Sequence, residues 1–102
     1  MKKPKRIAKI HPGEILLEDF LKPMGVSPYR LANDTGLPHS RITGLVRGPH
    51  GISGDPDARF SHFFGTSRGY WLRLQEAYDM MEFDRHSAKR VKAEVRPLAL
   101  AS

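Results

Sequence analysis

Apolar residues recur along the chain at spacings of three and four, the period of a helix with one buried face. Glycines and prolines cut that pattern into short segments. Leu16, Leu17, Phe20, Leu21 and Met24 form the first stripe. Pro12 suits the opening turn of a helix there, His11 lies at or near its cap, and Glu14 puts a carboxylate beside the positive helix end. The helix is expected to run to about Lys22, with Gly25 as its stop. Ser27-Pro28 repeats the grammar of a cap followed by proline and opens a short helix that turns Leu31 and Ala32 inward and ends at Gly36. A third helix reads Ser40 to Arg47, with Ile42, Leu45 and Val46 apolar and Gly48 closing it.

Residues 48–54 hold three glycines and a proline, which marks a loop, with Ile52 as a plug into the core. Asp55-Pro56 opens a fourth helix, with Phe60, Phe63 and Phe64 apolar, and Gly65 ends it. Ser67 is placed to cap the fifth and longest, from about Arg68 to Arg85, whose stripe is Tyr70, Trp71, Leu74, Ala77, Tyr78 and Met81. Period-two runs of β-branched residues are absent, so the fold class is all-α, five helices joined by short connections. The expected organisation is a basic arm over residues 1–10, a domain over residues 11–85 and a basic, flexible tail over residues 86–102. A short edge element from Val95 to Leu100 is the alternative for the tail.

The 102 residues allow one small domain. Seventeen Lys and Arg against eleven Asp and Glu leave a net charge of +6. The excess sits in residues 1–51, where nine basic side chains face four acidic ones, and in the tail at Arg85, Lys89, Arg90, Lys92 and Arg96. That asymmetry points to a polyanionic partner, with plain solubility as the competing explanation. The absence of cysteine excludes disulfides, a thiol nucleophile and thiolate zinc sites. No apolar run approaches the roughly 18 residues of a membrane span, and the charged start is followed by no signal-type apolar core, so a cytosolic location is expected. His11, His39, His50, His62 and His86 are scattered without metal-ligand spacing, and no nucleophile, second acid or glycine-rich phosphate loop aligns with Glu14, Glu18 and Asp19. Neither a cofactor nor an enzyme activity is expected.

Residues 28–47 carry the functional signal. Ala32 is the fifth position of one short helix and Gly36 the ninth, immediately before the turn into the next. A helix-turn-helix needs a small residue at the first position, where the helices cross, and a residue tolerant of a left-handed backbone at the second. Leu31, Leu37, Ile42 and Leu45 then face inward, leaving His39, Ser40, Arg41, Thr43 and Arg47 as polar groups able to reach base edges or phosphates in a major groove. Arg41 is the first choice for a bidentate contact with guanine, with a phosphate clamp as its alternative; His39 or Ser40 doubles as the helix cap. Lys2, Lys3, Lys5, Arg6 and Lys9 form either a DNA-following arm or a solvated tail. Tyr70, Trp71, Leu74 and Tyr78 are core, dimer seam or both; the last helix carries more apolar surface than one side of so small a domain can bury, which favours a shared seam.

The chain resembles the HigA (VapI-like) antitoxins, a branch of the phage-repressor-type (XRE) helix-turn-helix family. The resembling residues are Ile10-His-Pro-Gly-Glu-Ile-Leu, Gly25-Val-Ser-Pro-Tyr-Arg-Leu-Ala, Ser40-Arg-Ile, Phe64-Gly-Thr-Ser and Trp71-Leu-Arg-Leu-Gln-Glu-Ala-Tyr-Asp, across residues 10–81. The resemblance implies a lambda-repressor-like five-helix bundle, a homodimer on double-stranded operator DNA that represses its own operon, and a HigB-type ribonuclease toxin as the partner it neutralises. A solitary repressor with no toxin is the alternative. The family's DNA-reading positions fall on Pro38, His39, Ser40, Arg41, Thr43 and Gly44. Three departures stand out. Pro28 replaces a frequent Gln and cannot donate to a phosphate, Gly44 offers no side chain, and Asp57-Ala58 replaces a frequent Ala-Leu, predicting a smaller contact with the core.

Overall fold

The computed structural model describes residues 11–99. Helix α1 is one rod in three stretches, α-helical over Pro12–Ile15, π-helical over Leu16–Leu21 and α-helical again over Lys22–Met24. It is followed by α2 (Pro28–Thr35), α3 (His39–Arg47), α4 (Gly54–Phe64) and α5 (Tyr70–Glu94), with no strand among the described residues. The expected all-α, five-helix architecture is what forms. The arm at residues 1–10 lies outside the described residues.

Local chemistry sets the first two helix starts as the sequence predicts. His11 Nδ1 accepts from the Gly13 N–H at 2.9 Å, and Ser27 Oγ accepts from the Arg30 N–H at 3.0 Å. The π stretch is not visible in the three-four spacing. Pro23 has no N–H, and in a regular α-helix its ring would meet the carbonyl of Asp19, so the ladder upstream shifts to i→i−5 bonding, as in the Lys22 N–H to Leu17 carbonyl bond. The wider turn lays residues five apart nearly over one another. Ile15, Leu16, Phe20 and Leu21 therefore share the buried face, while Met24, expected on the stripe, is 47% exposed.

Packing converges on α1. Its buried face meets α3 on one side and α5 on the other, while α2 packs on α3 and α4. Phe20 of α1, Phe60 and Phe64 of α4 and Trp71 of α5 form an aromatic centre, with ring centroids 4.8 Å apart for Phe20–Trp71 and 5.5 Å for Phe60–Trp71. Ile52 plugs the core as expected, its N–H donating to Gln75 Oε1 at 2.8 Å. The approach of α1 to α3 is closer than ordinary side chains allow: a Cβ on Gly13 would overlap the Leu45 carbonyl oxygen.

Both ends of α5 differ from the sequence reading. Ser67 does not cap α5. The Asp57 carboxylate, carried on α4 and fully buried, accepts from the N–H groups of Gly69 at 2.8 Å, Trp71 at 3.0 Å and Leu72 at 3.3 Å, and Arg68 Nε lies 3.5 Å from it. The anticipated loss of core contact at Asp57 is thus a gain of a helix anchor, an anion at the positive helix end satisfying donors that would otherwise be orphaned. At the other end α5 continues past Arg85 to Glu94, because residues 86–94 contain good helix formers and no glycine or proline. Arg85 and His86 lie 3.7 Å and 3.2 Å from Glu82, one turn away. Residues 95–99 form no regular element, so the edge element anticipated from Val95 is absent among them. From Asp79 onward no residue of α5 is buried, and the described chain extends over 56 × 25 × 25 Å.

Two outcomes follow from these contacts. Asp57→Ala removes an acceptor from three N–H groups, two of them at the start of α5, and is expected to cost about 2–3 kcal/mol in urea unfolding, with Asp57→Asn recovering part. His11 is half-buried, its ring edge-on to Tyr78 at 5.0 Å. Burial lowers its pKa from the ordinary histidine value; the backbone carbonyl of His50 and the carboxylates of Asp79 and Glu14 oppose that without reversing it. Below the ordinary value the unfolded chain binds the proton more readily than the folded one, so the stability that neutral His11 contributes is present at pH 7.5 and is lost as pH falls through the depressed folded value. Protonation also removes the lone pair that caps Gly13. Melting at pH 7.5 and pH 5.5 is expected to show a fall in stability on acidification that is smaller in His11→Asn, which keeps a capping oxygen and does not titrate.

Candidate nucleic-acid interface

Helices α2 and α3 meet at a corner built as the sequence predicts. Ala32 is buried where the two cross, and Gly36 adopts φ 77°, the left-handed conformation the turn demands. Arg59 of α4 seals the corner: its guanidinium donates to the Thr35 carbonyl at 2.7 Å and to Asp55 at 2.9 Å, and a Cβ on Gly36 would come within 2.9 Å of it. Ile42 and Leu45 are buried beneath α3. Helical periodicity then places Ser40, Gly44 and Arg47 on the opposite face, with Arg41 and Thr43 flanking them.

Pro38, His39, Ser40, Arg41 and Arg47 are all exposed and share one side of the molecule's helix-turn-helix. Pro38 is the residue that caps α3, in extended backbone conformation and without a side-chain bond, so neither His39 nor Ser40 acts as the cap; the helix begins at His39 itself. That leaves the His39 and Ser40 side chains free to face outward at the positive end of α3. Thr43 is half-buried and its hydroxyl donates back to the Ser40 carbonyl at 3.1 Å, so what it offers outward is its methyl group. Arg41 and Arg47 make no ion pair among the described residues, whereas Arg30, Arg59, Arg68 and Arg85 each lie against a carboxylate. Two unneutralised guanidinium groups on a face without acids are the electrostatic requirement for holding a polyanion. Tyr29, not singled out from the sequence, belongs to the same surface: it is largely exposed and its ring packs edge-on to His39 at 5.7 Å. A lone aromatic at a polar position beside Pro28 was its only signal.

The residues expected at a dimer seam divide. Trp71 is 0% and Leu74 3% exposed, so both belong to the core of this chain and present nothing to a second copy; they lie on the side of α5 that meets Phe20 and Phe60. Tyr70 and Tyr78 are half-buried, Tyr70 against Phe20 with its phenol pushed up by burial and by Asp19, Tyr78 against His11. The apolar surface left open on α5 lies elsewhere, at Leu72, Met80, Phe83 and Val91. With Glu76 and Ser87 these make one continuous row at steps of four, four, three, four and four. No helix among the described residues is long and apolar enough to cross a membrane, and no group of three or more metal-ligating side chains occurs among them.

No family model matches the chain. It is 46% identical over 80 residues to virulence-associated protein I of Dichelobacter nodosus, covering 76% of this chain and 74% of that protein. It is 30% identical over 99 residues to antitoxin HigA-1 of Vibrio cholerae, covering 96% and 90% of the two chains. Among solved structures, Pseudomonas aeruginosa antitoxin HigA with the higBA promoter superimposes with a TM-score of 0.83 at 34% identity, over 88% of this chain and 98% of that one. With the corner, the outward basic face and full-length similarity in agreement, this chain belongs to the HigA (VapI-like) family of helix-turn-helix antitoxins.

Proposed function

We propose that this chain is the antitoxin of a type II toxin–antitoxin pair, which binds operator DNA as a dimer, represses its own operon and neutralises a HigB-type ribonuclease toxin. The observation that carries the DNA half is the unpaired arginine face of α3, held outward by the Gly36 corner. Arg41 reads a base pair, His39, Ser40 and the Thr43 methyl line the groove, Pro38 lies against it at the start of α3, and Arg47 meets phosphate. Pairing of two chains uses the open row Leu72, Met80, Phe83 and Val91 in place of the buried Trp71 and Leu74, while Tyr70 and Tyr78 pack on Phe20 and His11 within the chain. The cytoplasm is the place this reading gives to the chain's work. The toxin half rests on family membership.

Footprinting upstream of the chain's own gene, with and without the product of the neighbouring small reading frame, tests both halves. A protected pseudo-palindrome whose half-sites lie about 34–36 Å apart, or a multiple of that, is expected, together with binding that weakens steeply as salt rises. Arg41→Ala is expected to lose about 1–3 kcal/mol and to relax preference at one base pair per half-site; unchanged binding overturns the role of Arg41. Phe83→Asp, on the open row and outside the core, is expected to shift the chain to monomer mass in sedimentation while its helical content stays intact. Failure to recover any toxic neighbour in a pull-down leaves the repressor alone.

A further inference from the structure

Gly44 lies in the middle of the outward face of α3, between Ser40 one turn before and Arg47 one turn after, where a side chain would project straight toward a groove. A glycine in mid-helix is unfavourable and calls for a reason. Here the space a side chain would take is filled from outside the helix. The imidazole of His50, carried on the loop after α3, lies over Gly44, so that a Cβ there would fall 2.6 Å from His50 Cε1 and 3.0 Å from Cγ.

The loop that delivers the ring is held at both ends. The Gly48 N–H donates to the carbonyls of Gly44 at 3.1 Å and Leu45 at 3.2 Å, and the His50 N–H returns to the same Gly44 carbonyl at 3.3 Å. Pro49 stiffens the link between them. Two residues further on, Ile52 is buried and its N–H is fixed by Gln75 at 2.8 Å. His50 is nonetheless exposed, and its side chain makes no hydrogen bond or ion pair among the described residues. Its ring borders a shallow depression that it shares with Arg41, Pro49 and Gly51.

We infer that His50 contacts operator DNA in place of residue 44: the glycine opens a gap on the reading face, and the loop fills it with an imidazole set beside Arg41. A neutral imidazole carries one donor and one acceptor, a set suited to a base edge in the major groove or, through the donor, to a phosphate oxygen. The inference rests on the DNA-binding reading above and adds to it a residue from outside the helix-turn-helix.

The test is a titration of the full chain, His50→Ala, Gly44→Ala and the double variant against the duplex found by footprinting, read by fluorescence anisotropy, with melting of each variant as a control. Gly44→Ala is expected to melt no lower than the parent, because alanine is favoured in a helix and the ring it displaces is exposed and free to swing away. His50→Ala is expected to weaken operator binding about fivefold or more, the size of one lost specific contact. Gly44→Ala, by evicting the ring, should lose a similar factor, and the double variant should bind no more weakly than His50→Ala alone, because both changes remove the same contact. Single base-pair substitutions across the half-site then separate the two targets: a loss confined to one base pair assigns the ring to a base edge, and a uniform loss with a shallower salt slope assigns it to phosphate. Wild-type affinity in His50→Ala, or losses that add in the double variant, overturns the inference while leaving the DNA-binding reading intact. Failure of the parent chain to bind any duplex removes both.

Discussion

The reading face depends on how closely two pieces of backbone approach. Gly13, in the first turn of α1, lies so near the Leu45 carbonyl of α3 that no side chain fits between them. That contact lets α3 lie directly on the first helix, with Ile42 and Leu45 driven into the core and the opposite side left to solvent. Around it the other restraints fall into place. His11 caps the rod that Gly13 begins, and its ring also reaches the loop that follows α3 and the long helix through Tyr78. The amino end of α1 is thus a clasp on three elements at once, which is a physical reason for a His-Pro-Gly-Glu start in a fold of this kind: an acceptor to cap, a rigid first turn, a missing Cβ and a carboxylate at the positive helix end.

The parts of this arrangement legible in the sequence are those determined within a few residues. The Ser27-Pro28 opening, the small Ala32, the left-handed Gly36 and the inward Leu31, Leu37, Ile42 and Leu45 each have local signatures, and each is placed as those signatures imply. What escaped depends on a partner outside the helix that carries the residue. Asp57 reads as an odd acid in an apolar helix until Gly69, twelve residues later and just before α5, is brought onto its carboxylate. Gly44 reads as a gap in the reading helix until His50 is folded over it. The π stretch of α1 escaped for a different reason: a search for steps of three and four cannot register a turn that takes in one residue more.

The division of the long helix follows the same logic. Periodicity identified an apolar stripe with more surface than a small domain needs, but it could not say which members the domain itself takes. Trp71 goes to the aromatic centre because Phe20 and Phe60 close over it, Leu74 joins the same buried core, and the row through Leu72, Met80, Phe83 and Val91 is what remains. Helix propensity carries that row well beyond the body, and ordinary one-turn charge pairs line its flank.

The buried carboxylate of Asp57 therefore governs more than a helix end. It is the hinge pin between the helix-turn-helix and the mast on which a second copy would be mounted. A mast about 37 Å long magnifies any tilt at its root, since a few degrees there move its tip by a few ångströms. Fastening that root with three amide hydrogens and a guanidinium fixes the angle at which two heads would stand apart, and with it the stride between the two halves of whatever palindrome they straddle.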